Sequence, residues 1–368
     1  IFVPLVDLNL QFQQLENELM NALHEVASNS SFIRGEELEQ FEQSFAKYHS
    51  VQHAIGVGSG TDALELAVKA LKLKPGDEVI TVPNTWISTV FAICHGGGKP
   101  VFVDVDPDTY QIDPNKLLEA INKKTKAVIP VHLFGHPSPM TEIVEICASK
   151  NILIIEDVAQ ATLARYDDNL AGTTGDIGCF SFYPSKPLGG FGDGGMVITN
   201  NDIYANYIRQ LSNYGQKTTY VHEHIGYNSR LDNIQAAILS KKLPYTESWN
   251  ADRKKAALLY NEKLSHLGVK TPTTLPNAEH IFHLYVIEVE NRDKILYYLR
   301  DNGVMAQVHY PKVVHLQNCF NYLGYKKGDF PVAEAAADRI LSLPIYAEIL
   351  EEQIDIVIET LAKALGKV

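Results

Sequence analysis

The sequence predicts an α/β fold: a large domain with a mostly parallel seven-stranded sheet between helices, then a smaller C-terminal α+β domain. Three observations carry this. Between residues 50 and 200 short apolar runs alternate with longer amphipathic ones, the pattern of strand–helix units around a parallel sheet. The apolar runs are nearly continuous, as suits strands covered on both faces. The chain has 368 residues, more than one hydrophobic core usually serves, so a second unit is expected.

Taken in order, the N-terminal stretch 1–49 reads as two helices separated by SNSSFIRG. HAIGVG, DEVITV, KPVFVDV, KAVIPVH and ILIIEDV read as strands. GTDALELAVKALKL, TWISTVFAICHG, DPNKLLEAIN and MTEIVEICASK read as the helices between them. Two more strands, around CFSFY and GGMVITN, close this region. Residues 201–265 read as largely helical, with a long helix near RLDNIQAAILSKKL joining the two domains. Beyond KTPTTLPNAEH, IFHLYVIEV alternates as a half-buried strand and RDKILYYLRDNG reads as a helix. The boundary is placed at 249/250, giving domains of 1–249 and 250–368.

Composition excludes several classes. With 45% hydrophobic and 21% charged residues the chain looks globular. No apolar stretch approaches the roughly 18 to 20 residues that span a bilayer. The opening IFVPLVDLNL lacks the basic start and small-residue cleavage site of a signal peptide. Cys94, Cys147, Cys179 and Cys319 lie far apart, implying neither a disulfide framework nor a zinc site. A reducing, cytoplasmic setting is the expectation. A net charge of −12 without a basic run argues against nucleic acid.

Chemistry concentrates in four places. In VGSGTDALELAV a strand ends at Gly58 and a helix begins near Thr61, so free amides and the helix dipole offer an anion site. In NILIIEDVAQA apolar strand residues run straight into Glu156 and Asp157, at the end of the sheet where ligands bind. In SFYPSKPLGGFGDGG, Lys186 stands between an aromatic run and five glycines in seven residues, with Ser181 and Ser185 nearby. Glycines there let the backbone approach a ligand closely. A partly desolvated lysine has a lowered pKa and can form a Schiff base. In VPNTWIST, Trp86 opens another strand-to-helix turn. Phosphate cradle, carboxylate and lysine together suit pyridoxal 5′-phosphate (PLP), and Trp86 can cover its ring.

Together GSGTDAL, EDVAQA, GDIGCFSFYPSK, GDGGMVITN, GYNSRLDNIQAAIL and HYPKVVHLQ resemble the DegT/StrS family of nucleotide-sugar aminotransferases. These are PLP enzymes of the aspartate-aminotransferase fold, usually homodimers. The resemblance implies that Lys186 holds the cofactor aldehyde and moves the proton. It implies that Asp157 pairs with the ring nitrogen and that Gln160 bonds the ring hydroxyl. Gly60, Thr61 and Ser181 would hold the phosphate, with Trp86 on the ring and Asn228 reaching the phosphate in a neighbouring subunit. Tyr183, His309, Tyr310 and His315 match positions lining the sugar-nucleotide cleft. Arg230 matches either a diphosphate contact or a helix cap.

The implied activity moves an amino group from L-glutamate to a nucleotide-linked keto-6-deoxyhexose. Gln160 stands where several relatives acting on 4-keto sugars carry His, which points toward a dTDP-3-keto sugar. The alternatives are a dTDP- or UDP-4-keto sugar, or a non-catalytic sugar-nucleotide sensor on the same fold. Lys186 speaks against a sugar dehydratase, where histidine replaces the lysine. The chain departs from the usual pattern at Thr162–Leu163, where many members have His–Gly, and at Pro187, Val313 and Arg34.

Overall fold

Seven strands form the central sheet of the computed structural model, which describes residues 2–367. They are β1 (His53–Val57), β2 (Glu78–Thr81), β3 (Lys99–Phe102), β4 (Thr125–Val128), β5 (Leu153–Asp157), β6 (Ile177–Ser181) and β7 (Gly195–Thr199). Their spatial order is β1-β7-β6-β5-β4-β2-β3. Pairing is parallel from β6 through β5, β4 and β2 to β3, while β7 runs antiparallel to both β1 and β6. Strand–helix alternation predicts this sheet, since a parallel crossover is usually made by a covering helix; the crossover from β5 to β6 is the exception, carrying a short hairpin, Arg165–Tyr166 against Asn169–Leu170, in its place.

Within a continuous apolar strand, the period of two still decides which face each side chain joins. On β7, Val197 packs with Ile55, Leu64, Ile155 and Ile208 on one face of the sheet. Its neighbours Met196 and Ile198 join Phe41, Phe45, Phe180 and Leu239 on the other. Helices α3 (Gly60–Ala70), α4 (Ile87–His95) and α7 (Asp202–Leu211) supply the first layer. Helices α2 (Glu36–His49) and α8 (Asn233–Lys242) supply the second. α5 (Pro114–Ala120) and α6 (Met140–Lys150) complete the crossovers, and α1 (Leu8–Ser28) packs on α8.

Residues 201–265 are less helical than the sequence suggests. α7 stops at Leu211, and 212–232 form an irregular excursion with a short hairpin, Gln216–Thr218 against Val221–His222. Close backbone approach explains this. A Cβ on Gly226 would sit 2.1 Å from the Gly215 nitrogen, and Gly215 has φ +68. The connecting helix also differs. α8 has ten residues and ends in a 3-10 turn containing Pro244, and the longer α9 (Thr246–Leu264) follows. The 249/250 boundary therefore falls inside α9.

A second core joins α9 to β8 (Tyr285–Glu288), α10 (Arg292–Asp301), β9 (Ile340–Leu343) and α12 (Glu351–Ala364). β8 and β9 pair antiparallel, and α11 (Pro331–Arg339) leads into β9. The N-terminal arm adheres here: Val3 pairs with Val304, and the Ile345 amide donates to the Leu5 carbonyl. Among the described residues no helix is long and apolar enough to cross a membrane.

Candidate active site

The carboxyl ends of β1, β2, β5 and β6 open onto one cavity of ≈ 910 Å³. β7 begins at this edge, with Gly195 opposite both Val57 and Ser181. Ser59 caps α3, its Oγ accepting from the Asp62 amide at 3.1 Å. The Ser59 carbonyl takes the Ala63 amide. Neither the Gly60 nor the Thr61 amide has a partner among the described residues, as at any helix start. Two glycines make room for this turn. A Cβ on Gly60 would lie 2.6 Å from Ser181 Cβ, and one on Gly195 would lie 2.3 Å from the Ser59 carbonyl. The Thr61 and Ser88 hydroxyls meet at 2.8 Å. Free amides, small residues and hydroxyls here fit a phosphate.

Asp157 ends β5, buried, with two hydrogen bonds on its carboxylate. The Thr89 hydroxyl donates to Oδ2 at 2.8 Å and the Ala159 amide to Oδ1 at 3.2 Å. Burial pushes its pKa above the usual value, partly offset by those bonds and by the charge of Lys186. Lys186 lies five residues past β6 and lines the same cavity. Burial lowers its amine to about 8, against the pull of Asp157. The charges of Asp157 and Lys186 act on each other, each favouring the other's ionised form. An amine of lowered pKa, a carboxylate and an anion cradle around one space fit PLP.

Trp86 lines the cavity with 57% of its surface exposed, which a core tryptophan would not show. Its ring lies 5.4 Å from that of Tyr310. Gln160 is buried; its Oε1 accepts from the Phe134 amide and its Nε2 donates to the Tyr310 hydroxyl at 3.1 Å. Tyr183 and His309 also line the space. The Nδ1 of His309 meets Ser342 Oγ at 2.8 Å, and burial, aided by Lys186, lowers its pKa to about 4.

Three sequence candidates do not line this cavity. His315 is 1% exposed, packs against Phe330, and bonds Glu334 at 3.0 Å. The resemblance places it in the sugar cleft; here it belongs to the core beside α11, because the 3-10 turn Val314–Leu316 turns it inward. Asn228 is exposed and bridges Asn213 on the excursion after α7. Its neighbour Ser229 donates to Asp62 at 2.6 Å, tying that excursion to the first turn of α3. Arg230 bonds Asn213 and lies over the Tyr214 ring. Conversely, Thr89, His283 and Arg253 line the cavity without any sequence signal to mark them. Thr89 sits in the VPNTWIST turn, where the sequence singles out only Trp86; Arg253 and His283 come from segments with no motif, and packing brings them in.

The sequence profile described as the DegT/DnrJ/EryC1/StrS aminotransferase family matches residues 13–362. The "Pleiotropic regulatory protein" of Geobacillus stearothermophilus is 43% identical over 98% of both chains. The dTDP-3-amino-3,4,6-trideoxy-alpha-D-glucose transaminase of Streptomyces venezuelae is 40% identical over 93% of this chain and 91% of that protein. A crystal structure of S. venezuelae DesV superposes with a TM-score of 0.97 at 39% identity, covering 100% of this chain and 99% of that one. The chain belongs to the DegT/DnrJ/EryC1/StrS aminotransferase family.

Proposed function

On the premise that membership makes the chain a PLP-dependent transaminase, we propose that it aminates a nucleotide-linked keto-6-deoxyhexose. The acceptor we assign is a dTDP-3-keto-6-deoxyhexose and the donor L-glutamate. The observation that carries this reading is the convergence of Lys186, Asp157 and the α3 amide cradle on one cavity. That cavity is roomy enough for a sugar nucleotide beside the cofactor. The 3-position rests on the S. venezuelae relative and on Gln160.

When bound, PLP supplies an aldehyde and a ring that accepts electrons from the substrate carbon. The Gly60 and Thr61 amides and the Ser181 hydroxyl bind its phosphate. Asp157 would pair with the ring nitrogen and favour its protonated form. Trp86 would cover the ring, and Gln160 would orient its hydroxyl. Lys186 Nζ, its pKa lowered by burial to about 8, would take the proton from the donor carbon and later return one to the sugar carbon. Tyr183, His309 and Tyr310 flank the sugar, and Asn228 reaches the phosphate bound by a second copy of the chain.

A sensor reading draws on the name of the Geobacillus relative. Retention of both Lys186 and Asp157 favours catalysis. The test is to add L-glutamate to the cofactor-loaded protein and follow the long-wavelength absorbance band. Bleaching, reversed by a dTDP-3-keto sugar, supports the reading. Reversal only by a 4-keto or a UDP-linked sugar would move the acceptor. No bleaching would leave the sensor in first place.

A further inference from the structure

Glu156 stands immediately before Asp157 and alternates to the other side of β5, where it is fully buried. Its carboxylate accepts from four donors. The Gly172 amide at 2.7 Å and His132 Nε2 at 2.8 Å meet Oε2. The Thr174 amide at 2.9 Å and the Gly175 amide at 2.5 Å meet Oε1. Burial alone would raise its pKa, but the His132, Gly175 and Gly172 bonds hold it below the usual value. Nδ1 of His132 accepts from the Ser138 amide at 2.9 Å, so the ring proton sits on Nε2 and His132 donates as a neutral imidazole.

Burying a carboxylate this deeply costs several kcal/mol before its bonds are counted, and its oxygens take up three backbone amides that an apolar side chain would leave unpaired. What the carboxylate adds is fixed geometry among three segments of the site. It holds the end of β5, the loop after β4 through His132, and the turn at Gly172–Gly175 that enters β6. His132 completes the clamp through its backbone, donating to the Asp157 carbonyl at 3.0 Å. The Asp157 amide in turn donates to the Pro130 carbonyl at 3.0 Å. Both backbone groups of Asp157 are thereby held by the loop after β4, alongside the strand.

We propose that Glu156 and His132 form a positioning unit that aims the Asp157 carboxylate into the cavity. The proposal rests on reading Asp157 as the partner of the cofactor ring nitrogen. In Glu156→Gln an amide NH2 must face donors, and in His132→Leu the Nε2 donor is lost, whereas His132→Gln keeps a donor near that place. The experiment measures cofactor dissociation constant, the pH midpoint of the bound cofactor's absorbance, and melting of the cofactor-free protein, with Asp157→Asn as reference. We expect Glu156→Gln and His132→Leu to weaken cofactor binding about tenfold. Both should shift the midpoint in the same direction as Asp157→Asn, with His132→Gln close to wild type. Lower melting with wild-type affinity and midpoint would overturn the proposal and leave a fold staple. If Asp157→Asn itself leaves both unchanged, the reading of Asp157 fails, and the proposal with it. Should Glu156→Gln not fold, the two His132 variants decide the matter alone.

Discussion

The hydroxyl of Thr89 donates a 2.8 Å hydrogen bond to Oδ2 of Asp157, joining the first turn of α4 to the tip of β5. Thr85 stands behind it, its hydroxyl 2.9 Å from that of Thr89. One turn of helix therefore holds the carboxylate from the cavity side while Trp86, at the same helix start, covers the space in front.

Thr89→Val keeps the shape and removes the donor. Losing a hydrogen bond to a charged group costs about 1.5–3 kcal/mol, so cofactor affinity should fall roughly ten- to a hundredfold. Equilibrium dialysis of the cofactor checks this, with Thr89→Ser expected to restore it. Wild-type affinity in Thr89→Val would count against any part for this bond.

The Lys186 amine, lowered to about 8, sets a pH dependence of defined sign. Below that pH it is increasingly the ammonium form and cannot attack an aldehyde. Covalent uptake of cofactor by the cofactor-free protein should therefore slow about tenfold per pH unit below 8 and level off above. Rapid-mixing absorbance across pH 6 to 10 measures it, and a flat profile would contradict the burial argument. Lys186→Ala should take up cofactor only reversibly, losing it on gel filtration, and should not turn over.

If Asn228 serves the site of a second copy, two defective chains should complement. Lys186→Ala and Asn228→Ala homodimers are each expected to be impaired. Mixed one to one, with exchange, roughly a quarter of the sites become intact, since heterodimers make up half the population. Activity that simply averages the two parents would show the site to be complete within one chain.

His315→Leu leaves Glu334 without its buried partner. Stability should drop by about 1–3 kcal/mol, read as a lower denaturant midpoint, with KM for the keto sugar unchanged. A raised KM at wild-type stability would return His315 to the sugar cleft.

The sequence by itself determined the sheet, its covering helices and the three groups at strand ends. Gly60–Thr61, Asp157 and Lys186 each follow directly from a local pattern: an apolar strand, a sharp stop, then polar or glycine residues. In a parallel α/β sheet those stops share one edge, so locating the strands locates the groups. Tertiary structure alone decided what surrounds them. Thr89 reaches Asp157 across the edge of the sheet, and Arg253 and His283 arrive from the segments flanking the second core. His315, beside the HYP segment that does line the cavity, turns into the core instead. The N-terminal arm joins the C-terminal unit through Val3 and Leu5, and the excursion after Leu211 is folded by glycine crossings rather than by helix periodicity. Periodicity records which face of its own element a residue takes. It carries no term for which distant element that face will meet, and that choice is settled by shape complementarity and burial across the whole chain.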